Sequence, residues 1–148
     1  MGLQASFSKK IFRFGFEART SRGLMNDKTS WFVKVCSDKK PGIVGIGECG
    51  PLPGLSIDAV PDFESNLASV VNNIVALGEL DPDVFQRLSD IIPPDFPAIT
   101  FGLETALLDL LNGARRIIYF NDFVQGVPIP INGLIWMGDQ RFMRKQID

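Results

Sequence analysis

Four carboxylates stand in or beside apolar runs, where an acid–base or metal site would begin: Glu48, Glu104, Asp109 and Asp139. General acid–base catalysis needs titratable groups within reach of one reacting atom, and a hard divalent metal needs several oxygen donors around one point. These four lie on separate segments, and none has a second carboxylate at a spacing typical of a metal site, so each reads first as structural. Glu104 is the least ordinary, being inside an apolar helical stretch, where a hydrogen-bonded or interface carboxylate accounts for it. The sequence contains no histidine. That removes the commonest general base, the usual Ser and Cys triads and His-containing zinc sites, leaving carboxylates, lysines or a hard metal.

Phosphate-binding and redox motifs are missing as well. There is no Walker loop, CxxC or HExxH. Gly45-Ile46-Gly47 has a third glycine, Gly50, at the GxGxxG spacing, but the pair lies inside a predicted strand and the string runs into Pro51 and a loop, not into the helix that dinucleotide binding requires. The segment Gly50–Ser56, GPLPGLS, is more informative. Two prolines and two glycines stiffen a loop that presents Leu52 and Leu55, although a plain strand-to-helix turn would read the same way.

The elements that position these residues follow from periodicity. Phe12, Phe14 and Phe16 alternate with Arg13 and Gly15 over Ile11–Phe16, as a strand with one buried face would. Trp31, Val33 and Val35 alternate in a second run, and Val44, Ile46 and Glu48 alternate with Gly45, Gly47 and Cys49 in a third. With a turn over Ser37–Gly42, these predict a three-stranded antiparallel meander. Glu17–Thr29, polar apart from Leu24 and Met25, reads as a long loop between the first two strands, and loops of that length are often functional.

Helices follow. One is predicted from an Asp58 cap to Gly78, with Phe63, Leu67, Val70, Val71, Ile74 and Leu77 inward. A shorter one opens at Asp81-Pro82-Asp83 and closes at Pro93-Pro94. A third spans Ala98–Asn112, apolar over more than one face as if buried on two sides, and stops at Gly113. After Gly126, Val127–Met137 reads as a further extended segment, with a helix starting at Gln140. Strand, loop, then helix is how a parallel βα unit begins, and such a strand without neighbours leaves open edges.

The 148 residues are the size of one ordinary domain, and a 45% hydrophobic, 22% charged composition is that of a packed protein. A formal net charge of -2 gives no footprint for nucleic acid. No run reaches the roughly 20 apolar residues of a membrane span, and the N-terminus has no secretory core. Gly2 and Ser6 fit the short myristoylation pattern, which is frequent by chance. Cys36 and Cys49 sit in apolar runs as free thiols, pointing to a reducing, cytoplasmic setting without nucleic-acid or membrane partners.

Four stretches together resemble one family. GIGECGPLPGLS at Gly45–Ser56 is similar to the end of the capping-domain sheet in enolase-superfamily members of the muconate-lactonizing subgroup, o-succinylbenzoate synthases above all. RGLMNDKTSW at Arg22–Trp31 resembles their first capping-domain loop, FGLETALLDLL at Phe101–Leu111 the helix before the barrel, and PINGLIWMGD at Pro130–Asp139 the first barrel strand. The last two, with GARRIIYF between them, resemble the synthases of Bacteroidetes-type bacteria. Order and spacing agree along essentially the whole chain.

The resemblance implies an α+β capping domain over residues 1–126, a meander followed by a helical bundle, with residues 127–148 starting a TIM-type barrel. It implies a lysine that removes a proton α to a carboxylate, a second lysine facing it, and Mg²⁺ held by carboxylates of later strands. Loss of water then gives o-succinylbenzoate, a precursor of menaquinone. None of those strands lies in this sequence. The chain alone is therefore expected to be inactive, with no catalytic or metal-binding residue of its own and its barrel domain as partner. It would supply two lid loops that select a small-molecule carboxylate substrate, through Gly23, Leu24, Met25 and Lys28 and through Pro53, Gly54, Leu55 and Ser56. Asn132 would face the site or serve as a structural amide. A homo-oligomer is compatible with this reading. Dipeptide epimerisation or muconate cycloisomerisation on the same scaffold is the first alternative, and a non-catalytic binding module the second.

Overall fold

A computed structural model describes residues 2–20 and 23–147, apart from the side chain of Thr20. Strands β1 (Leu3–Thr20), β2 (Gly23–Ser37) and β3 (Val44–Cys49) form one sheet in that order. β2 and β3 pair antiparallel with Trp31 opposite Cys49, Val33 opposite Gly47 and Val35 opposite Gly45. The expected meander is present, and Gly42 at φ 78° turns the chain between them. The helices are α1 (Phe63–Asn72), α2 (Pro97–Leu111) and α3 (Gln140–Arg144), with 3₁₀ turns at Ile74–Leu77 and Pro82–Asp90.

The chain divides into two compact units, Met1–Lys10 with Thr29–Tyr119 and Ile11–Lys28 with Phe120–Asp148. In the first, α2 lies on the sheet. Trp31, Val33 and Val35 bury the β2 side of the core, and each faces a β3 residue with a small side chain or none. The β3 glycines let the helix backbone reach the strand. A Cβ on Gly45 would collide with the Ala106 carbonyl oxygen and come within 2.7 Å of the Leu110 nitrogen, and one on Gly47 would meet the Gly102 carbonyl. Gly102 in turn makes room for the Cys49 thiol. Close backbone contact is thus the reason for Gly45-Ile46-Gly47. Leu67, Val70, Ile74, Val84, Leu88 and Ile92 complete the core, each buried side chain contributing about 1.5–3 kcal/mol.

Asp58 does not cap α1. Asp62 precedes that helix, without a side-chain cap bond. Asp58, 1% exposed, accepts from the Ala98 N–H at 2.7 Å, in the first turn of α2. An acidic side chain satisfies any nearby helix start, and here the nearby one is 40 residues away in sequence. The first helix is also shorter than its period implies, since the chain tightens into the 3₁₀ turn after Asn73 and stops at Gly78, φ 71°. Ile74 and Leu77 stay inward because three-residue spacing suits that turn. Burial of α2 on two sides is not found: Phe101 is 63% exposed, and the helix buries one broad face.

The second unit corrects the loop reading of Glu17–Thr29. β1 continues to Thr20 and β2 begins at Gly23, so both strands run into the stretch read as loop. Ser21 and Arg22, where that loop reading also fell, lie outside the described residues. A ribbon largely exposed on both faces needs no apolar alternation, so periodicity carries no trace of it. Phe12 and Phe16 are likewise 39% and 45% exposed, not buried as alternation implied. Phe14 and Phe16 do share a face, with the Trp136 ring 6.3 and 5.4 Å away.

Val127–Met137 forms no named strand. Among the described residues a bridge joins Met137 to Arg19, and Ile131 and Leu134 are 83% and 71% exposed. Parallel neighbours, which such a segment requires, are lacking among the described residues. The Gln146 side chain substitutes in part, accepting from the Trp136 N–H at 2.7 Å and donating to its carbonyl at 3.1 Å.

Candidate functional site

Each carboxylate that sequence singled out has a definite surrounding. Asp109, 1% exposed, accepts from the Ile46 N–H of β3 at 3.0 Å, from the Arg116 N–H at 2.8 Å and from the Arg116 guanidinium. It ties strand, helix and the turn after Gly113, where Ala114 and Arg116 have positive φ. Glu48 accepts from the buried Ser30 hydroxyl at 2.6 Å. Asp139 precedes α3 and accepts from the Phe142 N–H at 2.8 Å. Glu104 is half-buried on α2 beside the exposed Phe101. Among the described residues no three His, Cys, Asp or Glu side chains converge as a metal site.

Cys49 is equally unsuited to chemistry. Burial, and secondarily the charges of Asp58 and Glu48, push its thiol up to about 12, so it stays protonated and unreactive. Glu64 is held below the usual carboxylate range by hydrogen bonds from Lys9 at 2.8 Å and the Trp31 indole at 3.2 Å. That clasp joins β1, β2 and α1.

The expected selectivity residues fall in both units. In the first, Leu52–Ser56 forms a closed turn that exposes Pro53, Gly54 and Leu55, with Leu55 54% exposed and Gly54 at φ 72°. Ser56 is half-buried and its hydroxyl oxygen accepts from the Leu52 N–H at 3.0 Å. In the second, Gly23, Leu24, Met25 and Lys28 lie on β2. Side chains alternate faces along a strand, so Leu24 and Lys28 share one face and Met25 lies on the other. A cavity of about 470 Å³ opens in the same unit between Glu17 and Arg19 of β1 and Met137, Gly138, Asp139 and Phe142. None of the expected residues lines it. Its Glu17 and Arg19 pair with each other at 2.7 Å.

Sequence reasoning missed Asp58 and Gly102 as packing determinants. Asp58 carried a signal, an acidic residue near the GPLPGLS segment, but its partner is distant in sequence. Gly102 carried one too, as a glycine inside an otherwise strongly apolar helix.

No family model matches the chain. A curated o-succinylbenzoate synthase from Desulfotalea psychrophila is 36% identical over 171 residues, covering 99% of this chain and 46% of the relative. The crystal structure of MenC from Desulfotalea psychrophila superposes with a TM-score of 0.72 at 30% identity, over 99% of this chain and 45% of that one. An o-succinylbenzoate synthase from Thermosynechococcus elongatus, solved with magnesium in its active site, gives a TM-score of 0.51 at 22% identity, over 72% of this chain and 29% of that one, a likeness of fold. The chain spans less than half the length of each relative. With an antiparallel sheet and helices as in those proteins, the chain has the enolase-superfamily capping-domain fold and is similar to the amino-terminal part of o-succinylbenzoate synthases.

Proposed function

We propose that this chain is the capping part, residues 1–126, and the barrel start, residues 127–148, of a Mg²⁺-dependent dehydratase that makes o-succinylbenzoate for menaquinone synthesis. The observation that carries the reading is 36% identity to a curated synthase along 99% of the chain. No group of residues described here fits magnesium, so its ligands, like the paired lysines, belong to the barrel in this reading. The chain alone is inactive.

The chain's own part is selection and exclusion of water. In the first unit Leu55 on its turn offers apolar surface for selection, and in the second one of Leu24 or Met25 on β2 does so; excluding water strengthens electrostatic effects on the substrate. The exposed Phe101 side of α2 and the apolar Val127–Met137 segment are the surfaces the barrel covers. The setting is cytoplasmic. Among the described residues no helix is long and apolar enough to cross a membrane.

Turnover of the synthase's cyclohexadiene substrate by the complete protein, with and without magnesium, tests the reading. Magnesium-dependent formation of o-succinylbenzoate is the expected result, with none from the chain alone. Preference for dipeptides or for muconate lactonisation would overturn it in favour of a sister activity.

A further inference from the structure

The turn bearing Leu55 is closed on itself. The Leu52 carbonyl accepts from the N–H groups of Leu55 at 3.0 Å and Ser56 at 2.9 Å, and the Leu52 N–H donates to the Ser56 hydroxyl oxygen at 3.0 Å. The Ser56 carbonyl then accepts from the Ala59 N–H at 3.1 Å. Pro51 and Pro53 fix two φ angles, and Gly54 supplies the positive one. Two residues beyond Ser56, the buried Asp58 fastens the exit of the turn to the first turn of α2 through the Ala98 N–H at 2.7 Å.

A lid that opens and shuts is drawn from segments with few internal hydrogen bonds. This turn is the reverse case. Residues 51–56 are held by three internal bonds, two prolines and a buried carboxylate just outside, while Leu55 projects 54% exposed. The Ser56 hydroxyl oxygen is directed inward to Leu52 rather than outward to a ligand.

We infer that Ser56 and Asp58 are positioning residues that hold Leu55 on a rigid wall, so that this side of the site selects substrate by fixed shape and not by closure. The inference rests on the assignment of the turn to substrate selection. Ser56 then has no direct contact with substrate.

Amide hydrogen exchange on the complete protein, without substrate, reads the rigidity by itself. The Leu52, Leu55 and Ser56 amides are expected to exchange at least about tenfold more slowly than in an unstructured chain. Ser56→Ala should raise exchange at Leu52 by about tenfold, and Ser56→Thr should restore protection. In parallel, Ser56→Ala should shift the ratio of kcat/KM between the cyclohexadiene and a dipeptide by about threefold or more, mainly through KM, while Ser56→Thr returns it. Asp58→Asn, which keeps an acceptor for Ala98, should behave as the unsubstituted protein, and Asp58→Ala should behave as Ser56→Ala. If Asp58→Ala does not fold, the Ser56 pair decides alone. Unprotected amides in the unsubstituted protein, or a selectivity ratio unmoved by Ser56→Ala, would overturn the inference. Protected amides with no turnover of any of these substrates would instead overturn the reaction assignment, and with it the basis for a selecting wall.

Discussion

Asp109 accepts from two backbone N–H groups, on β3 and beyond α2, while itself only 1% exposed. Truncation would leave part-buried donors without their acceptor, each costing about 1–3 kcal/mol at most. Asp109→Ala should therefore lower stability by about 3 kcal/mol in a denaturant titration, and an unchanged midpoint would show that the carboxylate is dispensable. Cys49 makes a prediction at high pH. Its thiol is raised from 9.0 to about 12 in the fold, so below pH 9 it is protonated in both states and no linkage arises. Above pH 9 the unfolded chain ionises first, so stability falls progressively as pH rises towards 12. Cys49→Ala should flatten that part of the stability curve, and native Cys49 should resist alkylation at pH 7.5 as read by mass spectrometry.

At the scale of elements, Leu24 and Met25 lie on opposite faces of β2. In the complete protein only one of Leu24→Ala and Met25→Ala should raise KM, by about fivefold to tenfold for a lost apolar contact. Equal effects from both would return this stretch to the loop it resembled in sequence. The meander and the helix at Pro97–Leu111 were legible because burial on one side imposes a period, as at Trp31, Val33 and Val35. The ribbon past Phe16 was not, since strand residues exposed on both faces leave no such pattern. Asp58 was misplaced for a related reason: a capping carboxylate is visible locally, whereas the helix it serves, 40 residues on, is chosen by packing. The GPLPGLS turn was visible from its prolines and glycines, but the inward direction of the Ser56 hydroxyl was not.

For the whole molecule, the apolar surface is unevenly covered. Tyr119 and Phe120 are each 71% exposed, and Ile129, Ile131 and Leu134 lie between 58% and 83%. Large apolar side chains left exposed in this way, in each unit by itself, mark surfaces that a partner would cover. The isolated chain should bind a hydrophobic dye and self-associate with rising concentration in sedimentation velocity. The complete protein should do so far less, because the barrel in the proposed reading covers these groups. A chain that stays monomeric and dye-silent at high concentration would argue against a missing partner surface.

The glycines under α2 have one more consequence. Where a Cβ on Gly45 or Gly47 would strike the carbonyl oxygens of Ala106 and Gly102, each glycine instead directs a Cα–H towards that oxygen. Such C–H groups act as weak hydrogen-bond donors, each worth about 0.5–1 kcal/mol. The two α-protons of each glycine are thereby made magnetically unlike, one deshielded by a helix carbonyl and its twin not. Widely split α-proton resonances at positions 45 and 47 would report, without any substitution, that the helix is seated on the strand.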